Sequence, residues 1–135
     1  MSKLTEDETV KILADYLGKC GWTIKSLCFG QARGNDIVAS KSNAMLIVEV
    51  KGARASDNSP TKKRKHFDAG QIKTHFGAAL VKILQEKHLN PKNKLAIAHP
   101  DDEDIRRTIG HLIPFLSILN IKHYWVSDDG TVIEE

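Results

Sequence analysis

At 135 residues the chain has the length of one domain and enough material for a hydrophobic core. Hydrophobic residues make up 41% and charged residues 27%, which excludes a disordered chain, and no apolar run approaches the roughly 20 residues that span a bilayer. The net charge of +3 is small, but between Lys51 and His75 seven basic side chains stand against only Asp57 and Asp68, a local concentration suited to a polyanion.

The opening residues are acidic and polar, without the apolar segment of a signal peptide. Cys20 and Cys28 have no metal-ligand spacing, so free thiols in a cytoplasmic protein are expected. Thr5 to Glu8 forms a capping box, Thr5 capping a helix and Glu8 reaching back to it. Val10, Leu13, Ala14 and Leu17 then give that helix one apolar face, and Gly18 and Gly21 close it. Residues 23–29 read as a strand, 30–34 as a turn, 36–39 as a second strand and 41–43 as a turn. Residues 44–51 form a third strand, apolar on both faces as in the middle of a covered sheet.

A long polar and basic loop over 52–66 follows, a length usually reserved for function. Residues 67–88 read as a helix with Ile72, Phe76, Leu80, Ile83 and Leu84 on one side, stopped by Asn90 and Pro91. Residues 94–98 form a fourth strand. A helix over 101–119 opens on an acidic turn and is expected to be kinked or split by Pro114. A hairpin over 122–134 turns at Asp128, Asp129 and Gly130. The order implies a single α/β domain over 1–135, in which an antiparallel meander is followed by strands that enter in parallel: a mixed β-sheet flanked by helices.

Glu49 and Lys51 are the anomaly in the apolar third strand. Side chains two apart on a strand share a face, so both project from its C-terminal end, where a buried charge needs a partner or a metal. The turn at 41–43 folds the strands back on each other, which would let Asp36 meet Glu49 on one face. Two carboxylates suit Mg²⁺ or Mn²⁺, cations that keep waters and accept phosphate oxygens. A neighbouring lysine can orient the attacking water and screen developing charge. An ordinary ion pair of Glu49 with Lys51 is the bland alternative, and it suits an edge strand better than one apolar on both faces.

The stretch from Gly34 to Gly52, with Asp36, Glu49-Val50-Lys51 and the trailing Gly52, resembles the core of the PD-(D/E)XK superfamily. This is the restriction-endonuclease-like group that includes Holliday-junction resolvases and Mrr- and RecB-like nucleases. The resemblance implies a restriction-endonuclease-like fold and a metal-dependent nuclease. Asp36 and Glu49 would be metal ligands, the Val50 carbonyl a third, and Lys51 the catalytic lysine. In many members a glutamate on the first helix completes the metal shell. Glu8 and Glu6 are the candidates here, although both stand about one turn upstream of the expected place and Glu8 also serves the capping box. A glutamine on the helix after the loop lies near the site in several branches, and Gln71 takes that position; an exposed helix glutamine is the alternative.

Arg33, Lys62, Lys63, Arg64, Lys65 and Lys73 are expected to contact phosphates, because the basic run leaves directly from the Lys51 strand. His75 shares a helix face with Gln71, whereas His99, His111 and His123 read as structural and the six histidines form no cluster. The acidic group from Asp101 to Asp104 reads as a helix cap. The expectation is therefore a Mg²⁺- or Mn²⁺-dependent nuclease with DNA as its nucleic acid and no membrane partner; a homodimer would supply one site for each strand of a duplex. The alternative is a catalytically silent or partner-dependent nucleic-acid-binding subunit of a restriction, repair or mobile-element assembly on the same fold.

Overall fold

A computed structural model describes residues 3–30, 34–55 and 66–135. Helix α1 (Glu6–Lys19) precedes strands β1 (Thr23–Leu27), β2 (Ile37–Lys41) and β3 (Ala44–Val50). Helix α2 (Ala69–Leu89), strand β4 (Lys94–Pro100) and helix α3 (Glu103–Ile109) follow. A 3-10 helix (Gly110–Leu119) then leads to β5 (Ile121–Val126) and β6 (Val132–Glu134). The strands form one sheet in chain order: β1, β2 and β3 are antiparallel, β4 and β5 join in parallel, and β6 closes antiparallel to β5. This is the mixed, helix-flanked sheet that the order of elements implied.

Strand alternation sorts β3 between two cores. Leu46, Val48 and Val50 face Val10, Leu13 and Leu17 of α1, while Ile47 faces Ile72, Phe76 and Ile83 of α2. Burial on both sides explains why β3 and β4 carry almost no polar residue, and it makes a charged side chain there costly. The β2–β3 turn needs only Ser42 and Asn43, with Ser42 at a φ of 56°, the left-handed conformation that matches the twist of paired strands.

The helix expected over 101–119 stays α-helical only to Ile109 and continues as a 3-10 helix. Pro114 lacks the N–H that would bond to Gly110, and its ring crowds that same carbonyl, so the α-helix stops one turn before the proline: of the two expected outcomes, a kink or a split, the helix is split. In α2, Leu84 proves exposed and Ala79 takes a core position, so the apolar face is rotated from the expected one.

Gly52 brings α1 to the end of β3. A Cβ at Gly52 would stand 2.4 Å from the Glu6 backbone nitrogen and 2.8 Å from the Thr5 carbonyl carbon. Ala53 N–H donates to the Leu4 carbonyl at 2.8 Å, and Arg54 bridges Thr5 on one side and His66 on the other. The first turn of α1 is thereby seated over the C-terminal end of the central strand.

Candidate functional site

The β2–β3 pairing stops at Ile37 opposite Val48, which leaves the last residues of β3 free on that side. Asp36, one residue before β2, fills the gap: its Oδ2 accepts the Val50 N–H at 2.7 Å, and its backbone carbonyl accepts the Cys28 N–H at 3.0 Å. A strand residue directs its N–H and C=O to the same side. The Val50 carbonyl, the expected third ligand, is therefore aimed toward Asp36 as well.

Asp36 and Glu49 are 8% and 5% exposed and lie within hydrogen-bonding reach of each other. Burial pushes the Glu49 carboxyl up to about 8, and the adjacent Asp36, through hydrogen bond and charge, adds to the rise. Two desolvated acids in contact cannot both stay charged without a proton or a cation between them. Lys51, half-buried, follows Glu49 on the same face and acts electrostatically on Glu6 and His75. The three residues picked from the sequence pattern are thus brought to one end of β3.

The helix acid at this site is Glu6 rather than Glu8. Burial raises the Glu6 carboxyl to about 7, Asp36 raises it further, and Lys51 opposes the rise. Glu8 points away: its Oε1 accepts the Thr5 N–H at 2.8 Å and lies 3.5 Å from Arg54 Nη2. The capping box commits Glu8 to the helix end, which corrects its expected place in the metal shell, and Gly52 lets Glu6 come close instead. Gln71 is committed in the same way. Its Oε1 accepts the Asp68 N–H at 2.9 Å and its own N–H donates to Asp68 at 2.8 Å, completing a capping box for α2. Lys73 is exposed on the first turns of α2. Arg33, Lys62, Lys63, Arg64 and Lys65 lie outside the described residues.

One member of the site escaped the sequence reading. The Lys82 ammonium, from the middle of α2, sits 3.2 Å from Glu49 Oε2 and 2.9 Å from the Gly34 carbonyl. Helical spacing puts Lys82 on one stripe of α2 with Gln71 and His75, but which stripe meets the end of β3 is set by how the helix packs on the sheet.

The histidines do cluster, contrary to the sequence reading. His99 Nδ1 and His123 Nε2 are 2.8 Å apart in a nearly solvent-free stack against Trp125. Parallel pairing sets His99 beside Lys51 and brings His123 onto the same face from β5, a register that neighbouring residues in the chain do not reveal. Burial drives His99 down to about 3 and His123 well below the ordinary imidazole value. The acidic group caps α3 as expected: Asp102 accepts the Asp104 and Ile105 N–H groups and pairs with Lys3 at 2.7 Å.

Among the described residues no three His, Cys, Asp or Glu side chains are grouped as a ready metal cage. The donor set nevertheless fits Mg²⁺ or Mn²⁺, which are held by one or two carboxylates with the remaining positions filled by water and phosphate. The contact between Asp36 and Glu49 and the raised Glu49 carboxyl mark a place where a cation relieves repulsion.

No family model matches the chain, and no curated protein matches it. Two solved structures are similar. One is an XisH family protein from Nostoc punctiforme PCC 73102, 16% identical over 94% of this chain and 97% of that one, with a TM-score of 0.57. The other is an FdxN element excision controlling factor protein from Anabaena variabilis, 19% identical over 94% and 96%, with a TM-score of 0.56. At these identities the likeness is one of fold, and it runs nearly end to end in both chains.

Proposed function

We propose that this protein is a divalent-metal-dependent nuclease that hydrolyses phosphodiester bonds in DNA, with Asp36, Glu49 and the Val50 carbonyl holding the metal. The observation that carries this reading is the pair Asp36 and Glu49, both buried, with the Glu49 carboxyl raised to about 8 by burial and by Asp36, and Lys51 two residues further along the same face of the strand. Bound there, Mg²⁺ or Mn²⁺ would polarise the phosphodiester and make a coordinated water acidic.

The chain's own residues supply the rest. The Val50 N–H fixes the Asp36 carboxylate in one orientation. Lys51 orients the attacking water and offsets negative charge as it develops on the phosphate. Glu6, held near neutrality at about 7, takes or returns a proton at the edge of the site. Arg33, Lys62, Lys63, Arg64, Lys65 and Lys73 contribute phosphate contacts that position the substrate without reading its sequence. Cleavage of both strands of a duplex would use two copies of the chain.

A second reading draws on the similar excision controlling factor: a DNA-binding subunit of a mobile-element assembly that does not itself cut. A cleavage panel separates the two, with duplex, single-stranded and junction DNA and RNA tested with Mg²⁺, Mn²⁺ or EDTA. Cleavage that needs metal and falls roughly 10²-fold or more in Lys51→Ala supports the nuclease. Wild-type rates in Lys51→Ala would remove Lys51 from the mechanism. Tight DNA binding without cleavage under any metal would favour the silent subunit.

A further inference from the structure

Lys82 has a position that the proposed chemistry does not use. It rises from the middle of α2, a helix whose buried side is apolar, and its side chain is still 39% exposed. Its ammonium nonetheless turns inward, to 3.2 and 3.4 Å from the two Glu49 oxygens and 2.9 Å from the Gly34 carbonyl. The Glu49 side chain it meets is only 6% exposed. Lys82 therefore ties α2 to the loop before β2 and to a carboxylate at the centre of the site.

We propose that Lys82 is the internal counter-ion of the Asp36–Glu49 pair: it ties Glu49 to the Gly34 carbonyl when no divalent cation is bound, and it is released toward a substrate phosphate when a cation and substrate bind. The proposal rests on the metal-dependent reading above. Three observations support it. Asp36 and Glu49 are both buried at one end of β3, 8% and 5% exposed, so a cation there is favourable. An ammonium within 3.5 Å of Glu49 repels a second cation arriving on the same carboxylate. A lysine carries a compact charge on a flexible stem with rotatable donors, so it can leave one oxygen acceptor for another without moving the helix.

The two roles have opposite signs, and that makes the proposal testable. Lys82→Met should bind Mn²⁺ more tightly, by roughly tenfold, because a repelling charge is gone. The same variant should bind DNA more weakly in the presence of Ca²⁺, a cation that occupies oxygen sites while supporting little cleavage. Lys82→Arg should restore DNA binding, and Lys19→Met, on the exposed side of α1, should change neither quantity. Calorimetry measures the Mn²⁺ affinity and fluorescence anisotropy the DNA affinity, with Asp36→Asn as the reference. If Asp36→Asn loses Mn²⁺ binding while Lys82→Met binds it as the wild type does, the counter-ion role is overturned and the metal site survives. If wild type and Asp36→Asn bind Mn²⁺ alike, the metal site and the proposal fall together.

Discussion

Two pairs of ionisable groups are buried on the α2 face of the same sheet, and they are handled in opposite ways. Asp36 and Glu49 meet at the end of β3 with the Lys82 ammonium 3.2 Å from Glu49. His99 and His123 meet one and two strands away, among Trp125 and Phe76, and neither outer nitrogen has a hydrogen-bond partner among the described residues. Burial penalises charge in both places. It raises the acid Glu49 to about 8 and lowers the base His99 to about 3. The histidines answer by staying neutral and sharing one hydrogen bond, which makes them a structural pair. The carboxylates cannot settle so simply, because they are also in reach of cations. They keep a proton and the Lys82 ammonium within reach, and on the proposed reading a metal takes their place.

The largest expected effect is on stability against pH without metal. Glu49, raised from 4.5 to about 8, keeps a proton in the folded protein that the unfolded chain has released, so stability should fall as pH rises from about 4.5 to about 8. His99, lowered from 6.5 to about 3, is neutral in the folded protein where the unfolded chain is protonated, so stability should also fall as pH drops from 6.5 toward about 3. Urea denaturation across pH would show both arms. Glu6, raised from 4.5 to about 7, adds to the alkaline arm, so Glu49→Gln should reduce that arm without abolishing it and leave the acid arm unchanged, and saturating Mg²⁺ should reduce it likewise. An alkaline arm untouched by either would break the contrast between the pairs.

A smaller effect isolates the histidines. His99→Leu leaves His123 without its hydrogen bond in a dry environment and should cost about 1–3 kcal/mol. Replacing both histidines with leucine should cost less than the sum of the single changes, since no polar nitrogen is then stranded. Additive losses in a double-mutant cycle would mean that the two rings do not depend on each other.

Gly52→Ala acts on the carboxylate end alone. Its new methyl would meet the Glu6 backbone at 2.4 Å, and a backbone atom yields less readily than a side chain. A loss of roughly 1–3 kcal/mol is expected in thermal or urea melts. Mn²⁺ affinity should weaken with it, because the first turn of α1 no longer seats Glu6 beside Asp36. A variant that lost stability but bound Mn²⁺ unchanged would show that α1 supports the fold and not the site.

Much of the site was legible because it is local. The same-face spacing of Glu49 and Lys51, and a short turn returning the chain to Asp36, follow from strand geometry and need no knowledge of the rest of the molecule. The capping box at Thr5 was legible for the same reason, and it contained the clue that Glu8 was already committed, which left Glu6 as the helix acid. Gln71 and Asp68 form an equally local box, overlooked beside the resemblance that made Gln71 a site residue.

The sequence by itself determined the antiparallel meander, the two-sided apolar centre and the triad of Asp36, Glu49 and Lys51, since each depends on residues a hairpin apart. Tertiary structure alone decided three other features: the approach of Glu6 across Gly52, the entry of Lys82 from α2, and the pairing of His99 with His123. These depend on how a helix is rotated against a sheet and on the register of parallel strands joined through helices. That rotation and register are set by packing of the whole core, so no short stretch of residues encodes them.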